Sequence, residues 1–366
     1  MNDMQGLGGL DADRSSFEFT GTWREFLPIA VTNFLLTIVT LGIYRFWAKA
    51  RERRYLWSRT HFIDDSFEWT GTGKEMFLGF LIVMAVLLPA FLAIQFAAQA
   101  LILRGETLAA GILVFAVYGA IFYLYHVARF RALRYRLSRT WWHGIRGGSD
   151  HGGWDYGWSG VWKTLAGTLA LGLLIPWSMT ELWNERWNRM SFGPHRFEAG
   201  ADTSGLMMRW LLVYLAPFAG ILIMVFAAAG GAALGAIGGG SDGAVAGGVV
   251  AGVIGALLVY VAFLLASLSF YALFYRHVAD ATSVGGLQFE FTAHTRDWLK
   301  LILGSIGLVI VTLGFGLLFL SYRNWSFVVR HMEARGHVDL DALTQPTPPA
   351  PTEAEGIADA VDFGAV

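Results

Sequence analysis

Four stretches of this chain, Met76–Leu103, Thr107–Ala128, Trp210–Gly240 and Gly243–Tyr275, contain no Asp, Glu, Lys or Arg. Each meets or exceeds the roughly 20 apolar residues a helix needs to cross a hydrocarbon core about 30 Å thick. A water-soluble fold has little room for four such runs, because its surface must be covered with polar groups. Only Arg104, Gly105 and Glu106 separate the first two runs, and only Ser241 and Asp242 the last two, so each couple is expected to form a tight helical hairpin. Charged residues make up 15% of the chain and hydrophobic residues 55%, against roughly 25% charged in soluble proteins.

Other bounds are simpler. The formal net charge of -1 gives no reason to expect a nucleic-acid partner. The absence of cysteine excludes disulfides, thiolate metal sites and a cysteine nucleophile. Residues Met1–Ser16 carry Asp3, Asp11 and Asp13 with no basic or apolar run, so they are expected not to be a cleaved signal peptide.

Three shorter apolar stretches, Phe26–Tyr44, Leu165–Trp177 and Leu301–Tyr322, fit two layouts. If all seven segments cross, the loops holding Arg186, Arg189 and Arg196, then Arg276 and Arg296, fall outside the cell. Lys and Arg in short loops normally stay cytoplasmic. The preferred layout therefore has four full crossings, with the three short segments dipping in or lying near the interface.

The chain also repeats itself. Phe17-Glu-Phe-Thr-Gly21 recurs as Phe67-Glu-Trp-Thr-Gly71 and Phe289-Glu-Phe-Thr-Ala293, and more loosely as Phe197-Glu-Ala-Gly200 and Trp154-Asp-Tyr-Gly157. Aromatic and polar residues alternating before Gly predict short strands with one apolar face, paired in a small cytoplasmic sheet. An Arg- and Trp-rich stretch follows each short apolar segment: residues 44–54, with Arg45, Trp47, Lys49, Arg51, Arg53 and Arg54; residues 183–189, with Trp183, Arg186, Trp187 and Arg189; and residues 322–325. Met179, Trp183, Trp187 and Met190 form one helical stripe, and Trp325, Val328, Val329 and Met332 another. These helices are expected to lie flat at headgroup level, where Trp and Arg suit the interface. The predicted units are 17–153, 154–288 and a partial third copy, 289–341, flanked by disordered segments 1–16 and 342–366, the latter acidic and Pro-rich.

Thr40-Leu-Gly-Ile-Tyr-Arg-Phe-Trp-Ala-Lys49, framed by Phe17–Gly21 before it and Phe67–Thr72 after it, resembles the YjgN family of bacterial inner-membrane proteins of unknown function. The block recurs as Thr312-Leu-Gly-Phe315, whereas the middle unit reads Leu173-Leu-Ile-Pro-Trp177. The resemblance implies an inner-membrane location and a polytopic architecture. It carries over no catalytic residue.

Candidate chemistry is sparse. His126 and His277 end two predicted spans alike, in His-Val-Ala, and could form a pseudosymmetric pair; the bland reading is a helix-end contact. Arg129, Arg131 and Arg134 lie on a basic amphipathic stretch suited to an anionic lipid headgroup, or simply to the anionic leaflet. Gly231 with Gly235, Gly243 with Gly247 and Gly248 with Gly252 suit close helix packing, or a discontinuous helix lining a path. Asp64 and Asp65 read as a solvated turn, and His143, Asp150, His151 and Asp155 as a structured loop rather than a metal site. No hydrolase, phosphate-loop or metalloprotease motif is present, so no enzymatic activity and no cofactor are expected.

The sequence therefore predicts a mainly α, polytopic inner-membrane protein with two long helical hairpins, three shorter membrane-inserted or interfacial segments, internal repeats and short cytoplasmic strands. Its expected partners are anionic membrane lipids, and a homo-oligomer is compatible with the pattern. Two functional expectations follow: a transporter or channel-like protein for a lipid or small solute, or a non-catalytic scaffold that senses anionic lipid through its Arg/Trp helices.

Overall fold

The computed structural model describes residues 16–336 and 344–346, so nearly all of the segments expected to be disordered lie outside the described residues. Thr22 Oγ accepts the Glu25 N–H to cap α1 (Trp23–Val39), which continues into α2 (Arg45–Ser58). Thr72 does the same for Glu75 at the start of α3 (Gly73–Leu103), the 31-residue partner of α4 (Thr107–Arg139). At 1.5 Å per residue α3 is about 46 Å long, more than a hydrocarbon core requires. Then come α5 (Trp154–Leu169), α6 (Ile175–Trp187) and α7, a 75-residue helical stretch (Leu206–Asp280). Last are α8 (Thr295–Val311), a 3₁₀ turn (Phe315–Phe319) and α9 (Leu320–His331). Three of these, α3, α4 and α7, are long and apolar enough to cross a membrane, and only 6% of the most apolar stretch of each is buried by the rest of the protein.

Gly240 breaks α7 with φ 58° and ψ -143°, a conformation only glycine adopts without strain. The two arms then run back along each other. A Cβ on Gly231 would run into the Gly247 carbonyl, and one on Gly235 into the Gly243 carbonyl, so glycine is what permits backbones to approach this closely.

Between the helices lie short strands: β1 (Phe17–Phe19), β2 (Thr60–Phe62), β3 (Asp65–Ser66), β4 (Glu68–Trp69), β5 (Thr140–Trp142), β6 (Ile145–Gly148), β7 (Ser191–Phe192), β8 (His195–Ala199), β9 (Thr282–Val284), β10 (Leu287–Phe291) and β11 (Met332–Gly336). They form a three-stranded and an eight-stranded sheet, in chain order and wholly antiparallel. The Phe67 N–H donates to the Thr60 carbonyl across the gap between the sheets, and the Ala334 N–H donates to Ser16 Oγ at 2.5 Å, so the strip curls until its ends meet. Phe62, Trp142 and Leu287 are buried together there, with Phe17, Phe67, Phe192 and Phe289 packed against them.

Pairing ties both ends of every helical excursion to this sheet. The strands bracketing α1–α2 are neighbours (Phe17 opposite Phe62), as are those bracketing α3–α4 (Glu68 opposite Trp141), α5–α6 (Gly147 opposite Phe192), α7 (Phe197 opposite Val284) and α8–α9 (Phe289 opposite Ala334). A common joint recurs where a helix meets a strand. The indole N–H groups of Trp57, Trp183 and Trp325 donate to the hydroxyls of Thr140, Thr282 and Thr60, at 2.9, 3.2 and 2.9 Å. Each of those threonines donates in turn to the carbonyl four residues back. The short excursions also turn alike: Leu41–Gly42, Leu171–Gly172 and Leu313–Gly314 all have positive φ. Ala170-Leu-Gly172 thus makes the same Leu–Gly turn, although its flanking residues differ.

One strand expectation fails. Trp154–Gly157 is the first turn of α5 and not a strand, because Gly153, at φ 81°, redirects the chain and Tyr156 is then buried against Phe130 of α4. The expectation that the Arg/Trp stripes face lipid headgroups also changes. Trp183 packs near Trp187 and Phe274, Trp187 against Phe197, and Trp325 stacks at 4.1 Å on Trp57, so the stripe rings are half-buried against the protein's own core.

Thr140→Val keeps shape and strand propensity but strips the Trp57 indole of its acceptor inside the core, at an expected cost of about 1–3 kcal/mol. Denaturation in detergent tests this, with Trp57→Phe alongside; the double variant should lose less than the sum of the singles, and an unchanged melting point for Thr140→Val would remove the joint from the account.

Candidate functional site

Apolar surface fills most of the molecule, so a pocket with converging polar groups stands out. Such a cavity, of about 380 Å³, lies where the apolar part of α4 ends, enclosed by α5, α6 and the second arm of α7. Helical spacing builds it. His126 and Arg129 are three residues apart on α4; Ser178, Leu182 and Arg186 fall four apart on one face of α6; Tyr271 and Tyr275 do so on α7. Tyr156 and Thr164 come from α5. Close approach of α5 to α4 depends on Gly160, where a Cβ would run into the His126 ring.

His126 is 2% exposed, with Nε2 3.4 Å from Thr164 Oγ, Nδ1 buried without a hydrogen-bond partner, and edge contacts to Phe122 and Tyr125. His277 has a different setting, its Nε2 2.9 Å from Asp202 Oδ1 and 3.0 Å from the Asp202 carbonyl. The matched His-Val-Ala ends thus serve different local contacts.

Arg186 dominates the electrostatics. The side chain is 3% exposed, its Nε and Nη1 are buried with no hydrogen-bond partner, and its guanidinium lies 5.5 Å from the Trp183 ring centre. Burial, chiefly, pushes its pKa down to about 10, so it is still charged at neutral pH, and the like charges of Arg129 and Arg136 push the same way. Glu185, its neighbour in sequence, is already occupied by Ser159, by Lys163 at 3.0 Å and by Arg189 at 2.7 Å. Among the described residues no carboxylate lines the cavity. A buried guanidinium without a counter-charge is costly, and an anion accepted from the cavity would offset that cost.

A family model for bacterial proteins of unknown function (DUF898) matches residues 14–360. The chain belongs to this family. The relatives it resembles include the inner membrane protein YjgN of Escherichia coli O157:H7, 25% identical over 252 residues, and that of Escherichia coli K12, 26% identical over 247; each match covers 58% of this chain and 59% of the relative. YjgN of Salmonella typhimurium LT2 is 32% identical over 80 residues, 22% of this chain and 20% of the relative. The chain thus spans well under two thirds of the length of these curated relatives. No solved structure matches it.

For this DUF898 member the remaining candidates divide into two sets. Arg129, Trp183, Arg186 and His126 meet at the cavity. The others are dispersed. Arg53 is buried over Trp69 at 4.8 Å; Arg131 donates to the Gly152 carbonyl and stacks on Trp154; Arg134 donates to the His151 carbonyl at 2.6 Å; Trp47 packs on Phe77. Lys49 is half-buried, and Arg45, Arg51 and Arg54 are exposed on α2. Asp64 holds the His143 ring at 2.9 Å, joining two hairpins that no sequence feature links. Among the described residues no cluster of His, Asp and Glu could hold a metal ion. Tyr156, Thr164, Ser178 and Tyr275 escape a reading of the sequence because three separate helices contribute them; the small residues Gly157 and Gly160 facing α4 are the available signal.

Gly160→Ala should push α5 off the His126 ring and cost about 1–3 kcal/mol, as overpacking does. Gly238→Ala is the control: with open space around that position, it should melt no lower than the parent in the same detergent. Equal melting of Gly160→Ala and parent would contradict the packing.

Proposed function

We propose that this protein is a multi-pass inner-membrane carrier for an amphipathic anion, a lipid or small solute, taken up through the cavity between α4, α5, α6 and α7. The observation that carries the reading is a polar cavity with an unpaired buried cation, set where long lipid-compatible helices end. Four crossings, by α3, α4 and the two arms of α7, suit the strand pairing, since β1 and β2 are hydrogen-bonded neighbours and seven crossings would divide them between the two sides of the bilayer. The three short excursions then dip into the membrane. Their tip residues Leu41, Leu171 and Leu313, at 94, 75 and 91% exposed, support that reading, because apolar tips are stable in hydrocarbon and costly in water. The names of the relatives support the inner membrane as the location. The sheet lies on the cytoplasmic side with the basic loops. The recurring Trp–Thr joint and Leu–Gly turn support internal duplication.

A second reading, a non-transporting scaffold that senses anionic lipid, is favoured by exposed Arg45, Arg51 and Arg54 on α2. Flux separates the two. In liposomes the carrier should move a fluorescent anionic lipid between leaflets faster than protein-free vesicles do, whereas the scaffold should only bind vesicles in a salt-sensitive manner. Because the chain has no cysteine, single cysteines report topology cleanly. Glu198→Cys should label only from the cytoplasmic side and Asp242→Cys only from outside; external labelling at 198 would sink the four-crossing layout.

A further inference from the structure

We propose that the cavity is a phosphate-recognition site, in which Arg186 and Arg129 jointly hold a phosphate group, carried by a lipid headgroup or by a soluble phosphate ester. This rests on the reading of the cavity as the binding site and adds the chemistry of what it takes.

Polarity decides the class. The cavity presents two guanidinium groups and the Tyr275 phenol as donors, beside the Ser178 hydroxyl and the Tyr156 phenol, which donate to the Ile175 and Leu182 carbonyls, and, among the described residues, no carboxylate. Arg186 Nε and Nη1 are the decisive atoms: both are buried and unsatisfied, in a residue 3% exposed. A cation would leave them so, and a neutral acceptor would satisfy the hydrogen bonds but not the charge. A planar guanidinium matches two oxygens of a tetrahedral phosphate, and a second Arg brings charge to a dianion or diester. His126 also lines the cavity, with its Nδ1 buried against Gly160.

The apolar lining decides the shape. Phe122, Met179 and Leu182 contribute it, and Ile121 and Leu124, beside Phe122 on α4, are exposed to what would be lipid. A volume near 380 Å³ holds a phosphate headgroup and the start of a chain, within the roughly 300–1,000 Å³ of small-molecule sites, while the remainder of an acyl chain can lie along α4. Arg129 lies on α4 just past its uncharged stretch and Arg186 belongs to α6, so one phosphate would also bridge the two halves of the chain.

The test compares parent, Arg186→Met and Arg129→Gln, by melting and by equilibrium binding. The ligands are inorganic phosphate and glycerol phosphate in detergent, and nanodiscs of phosphatidylglycerol against phosphatidylcholine. Parent protein should be stabilised by phosphate-bearing anions, and each variant should lose about ten- to a hundredfold in affinity, the weight of a charge-assisted hydrogen bond or two. Without ligand, Arg186→Met should melt no lower than parent, because an uncompensated buried charge has gone. Saturation by inorganic or glycerol phosphate alone supports a soluble phosphate ester as the natural source; a response confined to phosphatidylglycerol discs supports a lipid headgroup. Equal responses of parent and both variants overturn the inference. So does a ligand-free Arg186→Met that collapses while Arg129→Gln binds like parent, which would make Arg186 a packing residue. Lipid movement that survives Arg186→Met overturns the site but leaves the carrier reading standing. Arg186-dependent binding in a protein that moves nothing supports the site and overturns transport alone.

Discussion

Strand pairing governs this molecule: every helical excursion begins and ends at adjacent antiparallel strands, so the hydrogen-bond ladder decides where each helix starts and to which side it returns. Individual strands are as short as two residues and would not persist alone. They persist because the strip curls around a filling of Phe and Trp side chains, and because indole-to-threonine bonds fasten helix ends onto it. Glu25 and Glu75 add to the same junctions, each in the first turn of one helix and bonded to a Tyr and an Arg at the end of another.

Two solvents act on the two parts. The aromatic sheet and its flanking helices form an ordinary packed core, in which many of the basic residues are engaged by carbonyls, carboxylates or rings. The long helices have scarcely any core. Their apolar side chains point outward, and α7 holds itself together through glycine contacts and not through burial of large residues. Such a surface is stable only where hydrocarbon replaces water, since lipid removes both the cost of apolar exposure and the drive to collapse. The cavity lies where the two parts meet, at the end of the uncharged stretch of α4.

Much of the architecture is legible in the residues. Apolar run length announces α3, α4 and α7, and the Phe-x-Phe-x-Gly repeats mark β1, β4 and β10. Trp154–Gly157 carries the same alternation yet is helical, because a two-residue period over four residues is a weak signal against a left-handed Gly153 and a burial site for Tyr156. The partner strands β2, β5, β7 and β9 lack the motif and are visible only as pairing partners. Likewise the Arg- and Trp-rich stretches read as one interfacial class, although Arg53, Arg131 and Arg134 are taken up by neighbours and Arg45 is exposed.

Local chemistry, acting over a few tens of residues, was enough to determine a membrane solvent, the long helical runs and which glycines suit close packing, since each depends on hydropathy or spacing. Arg186 shows the other side of that division. Its charge is written in the chain, but whether that charge meets a carboxylate, water or a cavity wall of phenols and hydroxyls depends on helices far along the chain on either side, and only their packing leaves two guanidinium nitrogens buried without a protein acceptor.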